Sequence, residues 1–478
     1  MPKHERRRIE TAAAPRATVG LLAALLLASA VGAGIAPRAV LAETPTASHT
    51  AEPVATPSPL PSPLPGATPA SVPPPAPAIG PTVLGDAVTF YGRGYGHGVG
   101  MSQYGARGRA LAGEDAPTIL AHYYQGTVLA PIDPETRIRV LVLSRWAASE
   151  PKPLVIFGRV SPWSVDGIAA TFPADARLRL VPNPLTGAWR LVIDAADGSV
   201  LFDGPAPLDF TVRGLTDDAR LQLWSKPTRY DRYRGTLRVI VQSATRVSIV
   251  NDVSLEAYLP GVVPVEMPST WPAAALQAQS IAARSYAARR LRPNVSYFDV
   301  PDNSTSQIYR GILAEKPATS AAVAATTGTV LLSGATIANA LFHSTGGGGT
   351  ESNENVFTST TGKRIARPVA YLRGASDRAP DGTPFDVRAP YATWVTRTYT
   401  RAELSAWFAA DPRTNVGDLI ALDLHDRGSS GRLVSVTLIG AAGSRTVSGE
   451  IFRAVFNARR PSVDPSLKST LLDTAPIP

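Results

Sequence analysis

Apolar side chains fall on every second position in several stretches of this chain. "RIRVLVLS", 137–144, is rich in branched residues and reads as a strand. In "GTLRVIVQ", 235–242, Leu237, Val239 and Val241 share one face, and "RVSIVNDVSLEAYL", 246–259, follows closely as further extended chain. Near the C-terminus, Val434, Val436 and Leu438 share a face before a turn at Ala442-Gly443, which predicts a hairpin. Helical periodicity is rarer. Its clearest case is 272–291, with Pro272 at a first helical position and Ser269 or Thr270 as cap. Shorter helices are expected at 102–111, 117–124 and 401–410. Strand-rich regions with segregated helices indicate an α+β fold. The stretch 147–230 reads as strands and turns, an inserted β-module.

The beginning of the chain has a different pattern. Lys3, Arg6, Arg7, Arg8 and Arg16 precede the apolar run 19–36, and Val40-Leu41-Ala42 suits signal-peptidase cleavage. Residues 1–42 are therefore expected to be a signal peptide or a retained anchor. Residues 43–82, dense in proline, are expected to be a disordered linker of polyproline II character, reaching on the order of 100 Å. Folded sequence is expected in three stretches. They are 83–130, with a glycine-rich segment; 131–390, the core; and 391–478, a β-rich part of the same domain.

There are no cysteines, so disulfides and thiolate metal sites are excluded. The formal charge is +9, but 1–42 holds six basic and two acidic residues, which leaves about +5 on the rest. That mild excess suits an anionic surface such as a cell wall. No Lys/Arg block points to nucleic acid.

Candidate chemistry centres on Glu266 in "VPVEMP". Its apolar neighbours raise a carboxyl pKa by desolvation, as a general acid needs, while a helix starting just beyond lowers it. A surface carboxylate between prolines is the alternative, and sequence leaves these open. In the alanine-rich helix that follows, Gln277 and Arg284 share one face, and Gln279 and Tyr286 an adjacent one. "FHSTGGGGTES" carries Ser344 and Thr350 around four glycines. "YGRGYGHGVGMSQYGARG", 91–108, has neither dinucleotide nor phosphate-loop spacing and presents His97 and then Gln103. No histidines pair at short spacing as zinc ligands do. Asp299 and Asp302 are candidate second carboxylates.

"NDVSLEAYLPGVVPVEMPSTWPAAALQAQSIAARSYA", "STSQIYRG", "STGGGGTES" and "GRGYGHGVGMSQYGARG" together resemble the SpoIID/LytB domain family of bacterial cell-wall proteins. The resemblance implies a SpoIID-like domain and a peptidoglycan lytic transglycosylase acting on denuded MurNAc-GlcNAc strands, with Glu266 as acid/base. His97, Gln103, Gln277, Gln279, Arg284, Tyr286, Ser344 and Thr350 are then candidates for substrate binding. No cofactor and no metal is expected, since the zinc of some members is held partly by cysteine. Family members of the amidase-enhancer type imply a rival: a non-catalytic glycan-binding module that stimulates a cell-wall amidase. A wall spacer with no preference for glycan is a third reading. Partners are then glycan strands, not nucleic acid, and a membrane only through an uncleaved N-terminus. The location is secreted or wall-associated. The family usually carries the G-H-G-V-G-M-S-Q segment at its C-terminal end, so its early position here looks like a circular permutation.

Overall fold

The computed structural model describes residues 80–150, 153–183 and 185–477. The expected export segment, 1–42, and the expected linker as far as residue 79 lie outside the described residues. The architecture is strand-rich with few helices, as an α+β reading requires.

Two sheets share the largest core. One has seven strands, in the order Val300–Pro301, Arg137–Ala147, Arg246–Ser254, Thr236–Ser243, Asp209–Gly214, Trp163–Val165 and Thr171–Phe172. The other has six, in the order Val200–Pro205, Trp189–Asp194, Arg177–Pro182, Leu154–Arg159, Arg220–Leu223 and Arg232–Tyr233, all antiparallel. Alternation along each strand sends one set of side chains inward. Leu237 and Val239, Val247 and Ile249, Ile156 and Leu154, and Leu191 and Ile193 meet in this core. The stretch 147–230 is thus not a separate module. It supplies most of the six-stranded sheet and three strands of the seven-stranded one, because its inward faces have no other apolar surface to cover.

A second core joins the two ends of the described chain. Leu84, Val88 and Phe90 pack with Tyr399, Leu404, Phe408, Val436, Leu438, Phe452 and Leu472. The hairpin of Ser435–Gly440 and Gly443–Ser448 turns at 441–442, one residue before the expected place. The short strand Tyr91–Arg93 lies between Thr393–Val395 and Leu472–Asp473, so residues near 91 pair with residues near 472. A helix at Gly449–Arg459, absent from the sequence reading, is capped by Ser448, whose hydroxyl accepts from the Ile451 N–H.

A third core is helical. It unites Val99, Met101, Ile119 and Leu120 with Met267, Leu276 and Ile281. Its central helix is Ala273–Ala288, shorter than expected at both ends. Pro272 occupies the cap position itself, so neither Ser269 nor Thr270 caps it. The extended run expected over 246–259 also breaks. Ser254 caps a helical turn at Leu255–Tyr258, its hydroxyl accepting from Ala257 N–H, and Leu-Glu-Ala favours helix there. The other expected helices form at Gln103–Leu111, Ala116–Tyr123 and Arg401–Ala409, each with a side-chain N-cap.

Candidate active site

Glu266 ends a short helix, Val263–Glu266, and is half-buried beside fully buried Val262, Val263 and Met267. Desolvation raises its pKa to about 7, against the opposing pull of the Gln103 side-chain amide and the Ile308 backbone N–H. Desolvation therefore prevails over the groups that favour the charged form. The carboxyl is half protonated near neutrality.

Gln103 reaches Glu266 because of how its helix is held. Ser102 caps the helix, its hydroxyl accepting from both Gly105 N–H and Gly346 N–H at 3.1 Å. Farther along, Arg109 Nε donates to Asp377 at 3.0 Å, and Tyr123 O–H donates to the same carboxylate at 2.7 Å. From this anchored first turn, the Gln103 amide donates to Glu266 Oε2 at 3.5 Å and to Gln279 Oε1 at 3.4 Å.

The glycine-rich stretch forms one wall. Gly98 has φ +84°, and a Cβ there would lie 2.4 Å from Arg432 Nε. Gly100 has φ +69°, and its Cβ would meet the Leu341 carbonyl at 2.0 Å. Only glycine admits such approach and such a backbone. The result is a pairing of two loops. Met101–Ser102 runs parallel to Phe342–His343, and Tyr95 bridges to Thr345. Arg432, almost fully buried, donates to the Gly346 and Gly349 carbonyls and ties them together.

His97 sits in this wall. Its Nδ1 accepts from Val99 N–H at 3.0 Å, and its ring also donates to the Phe342 backbone, which fixes the tautomer with the proton on Nε2. Burial lowers its pKa to about 4, so the imidazole is neutral at pH 7 and both nitrogens are occupied. His343, 5.5 Å away between ring centroids, is buried and its pKa lies well below the usual value, chiefly through desolvation.

A pocket of about 160 Å³ brings these parts together. Glu266, His97, Gln103, Tyr286 and Ser344, from four separate parts of the sequence, line it. Gln279 is buried behind Gln103. Arg284 faces elsewhere: it is fully buried and donates twice to Glu256, at 2.7 and 2.8 Å, and to the Thr329 and Val323 carbonyls. Thr350 is buried and accepts from Ala375 N–H. Gln277 does not reach the pocket. Asp299 is held by Arg139 and Asp302 by Lys226, and neither lines it.

Ser304, Ser306 and Ile308 also line the pocket. Their neighbours Gln307 and Tyr309 are buried in the interior. A period-two alternation across 306–309 is the signal that separates Ser306 and Ile308 from them. No sequence signal marked Arg432. Among the described residues, no group of three or more His, Asp or Glu is arranged to hold a metal ion.

Residues 243–332, which include Glu266 and the helix after it, match the family model SpoIID, described as stage II sporulation protein. The amidase enhancer of Bacillus subtilis is 30% identical over 183 residues, covering 36% of this chain and 25% of that protein. Stage II sporulation protein D of Bacillus subtilis is 51% identical over 49 residues, 10% of this chain and 14% of that protein. An uncharacterised protein of Brachyspira hyodysenteriae is 35% identical over 127 residues, 26% of this chain and 34% of that protein. The chain thus spans about a third or less of the length of the relatives it matches.

Proposed function

For a chain that belongs to the SpoIID/LytB family through residues 243–332, we propose a lytic transglycosylase acting outside the cytoplasm on peptidoglycan glycan strands. The observation that carries this reading is a single carboxyl, poised at about pKa 7, in a pocket lined by no other acidic side chain among the described residues. Most glycosidases need two carboxyl groups. A reaction that consumes no water works with one.

Protonated Glu266 donates to the glycosidic oxygen between N-acetylmuramic acid and N-acetylglucosamine, and the C1–O bond breaks. The positive charge that develops at C1 is eased by the substrate's own N-acetyl oxygen. The Glu266 carboxylate then takes the proton of the muramic C6 hydroxyl as that oxygen bonds to C1. An anhydro ring closes and the enzyme regains its proton. Gln103 keeps the carboxyl oriented through both states. His97, neutral and doubly hydrogen-bonded, shapes the wall and does not exchange protons.

The test is to incubate purified protein with denuded strands and weigh the products. Strands ending in anhydro-muramyl units, lost by at least about a hundredfold in Glu266→Gln, support the enzyme. The amidase-enhancer relative, aligned over more of the chain than the sporulation protein, favours a second reading: a glycan-binding module that stimulates a cell-wall amidase. Intact strands that still retain the protein, together with a faster amidase when it is added, support that reading and exclude the first.

A further inference from the structure

Beside the Glu266 pocket lies a second one, about 340 Å³ in volume. Ser304 and Ile308 line both, and Ile308 N–H donates to Glu266 alongside the Gln103 amide. One length of chain, 302–310, is therefore a common wall. The opposite side is built by Lys226 and Thr228, which belong to 220–233, outside the family match, and by Ser144.

The charges here are unequally engaged. Lys226 is buried and its ammonium contacts the Tyr233 hydroxyl, at 2.6 Å, and the Asp302 carboxylate. That pair neutralises itself and forms a fixed floor. Arg310 is half-buried and lies over the Tyr230 ring, 5.1 Å from its centroid. Among the described residues its guanidinium has no carboxylate partner. Stacking holds such a group in place before any ligand arrives, so little side-chain freedom is lost when it binds an acid. Ser144, Thr228 and Asn303 add hydroxyl and amide groups around it.

We propose that this second pocket is a carboxylate-binding subsite on the same ligand path, with Arg310 as the cation that meets the acid. It rests on the glycan reading above and adds to it the feature recognised next to the cleaved bond. Two sources carry that chemistry in peptidoglycan: the lactyl carboxylate of a denuded muramic residue, and the carboxylates of a peptide stem.

Binding is measured by calorimetry on the full chain carrying Glu266→Gln, so that no ligand is consumed. The ligands are denuded strands, the same strands with their carboxyls converted to methylamides, strands with stems attached, and N-acetylglucosamine oligomers. Denuded strands are expected to bind about tenfold more tightly than the methylamides, equivalent to about 1.4 kcal/mol. Arg310→Gln is expected to erase that ratio and Arg310→Lys to keep part of it. If the Arg310-dependent preference appears only with stem-bearing strands, the acid belongs to the stem. Equal binding of methylamides, denuded strands and stem-bearing strands overturns the subsite without any variant, and so does a preference that survives Arg310→Gln. In those cases, oligomers that still bind leave the glycan reading standing. Failure of every ligand to bind overturns both.

Discussion

At the scale of the residue, the site turns on the cost of ionising Glu266. Its carboxyl titrates at about 7 in the fold against 4.5 when free, because burial penalises the charge. A group with a raised folded pKa adds stability that is complete below pH 4.5 and is lost as pH rises to 7. Glu266→Gln removes that loss. The variant is expected to be more stable than the parent by about 1–3 kcal/mol at pH 8, with the gain vanishing near pH 4, as urea melts at the two pH values will report. In the parent, strand cleavage is expected to fall above pH 7 as the proton is lost. The desolvation of this residue was legible from its apolar neighbours. The sign of its pKa shift was not, because the following helix could have opposed burial and its distance from the carboxyl is not written in the sequence. The locked state of His97 was equally hidden, since its partners at Val99 and Phe342 are backbone groups.

At the scale of the element, the Ala273–Ala288 helix explains why some expected ligand contacts are absent. Twelve of its sixteen residues are buried, so of its expected ligand-binding side chains Tyr286 alone lines the pocket. A helical wheel placed Arg284 and Gln277 together, and that much is geometry. What the wheel could not contain is the neighbour: Glu256 and the carbonyls of Val323 and Thr329 enclose the guanidinium completely. Arg284 is a buried cation with its partner. Arg284→Met is expected to cost about 3–5 kcal/mol in a urea melt, because Glu256 keeps its charge without compensation. Glycan binding by the remaining folded protein should be unchanged at low temperature. The strands were legible for the opposite reason. Alternation in 235–242 and 434–438 reports a sheet face directly, and those residues form the cores.

At the scale of the whole molecule, the chain is wound so that early and late described residues share a sheet. Leu472 pairs with Gly92, Arg93 N–H donates to the Leu471 carbonyl, and Ser469 O–H donates to the Arg93 carbonyl. Leu467 and Leu472 are almost fully buried there. A chain stopped after Ser466 is expected to expose 91–100 to proteolysis and to lose glycan binding, even where the two-sheet core stays folded. This closure was only partly legible. The early glycine segment, read as a permutation, pointed to adjoining ends, but strands of two or three residues leave no periodicity to read. Its consequence is one of timing. A ribosome delivers the histidine loop long before its clasp at residues 467–473, so a polypeptide interrupted or broken between the two has no finished pocket. On the glycan-cleaving reading, activity is expected to wait until residues 467–473 have been made.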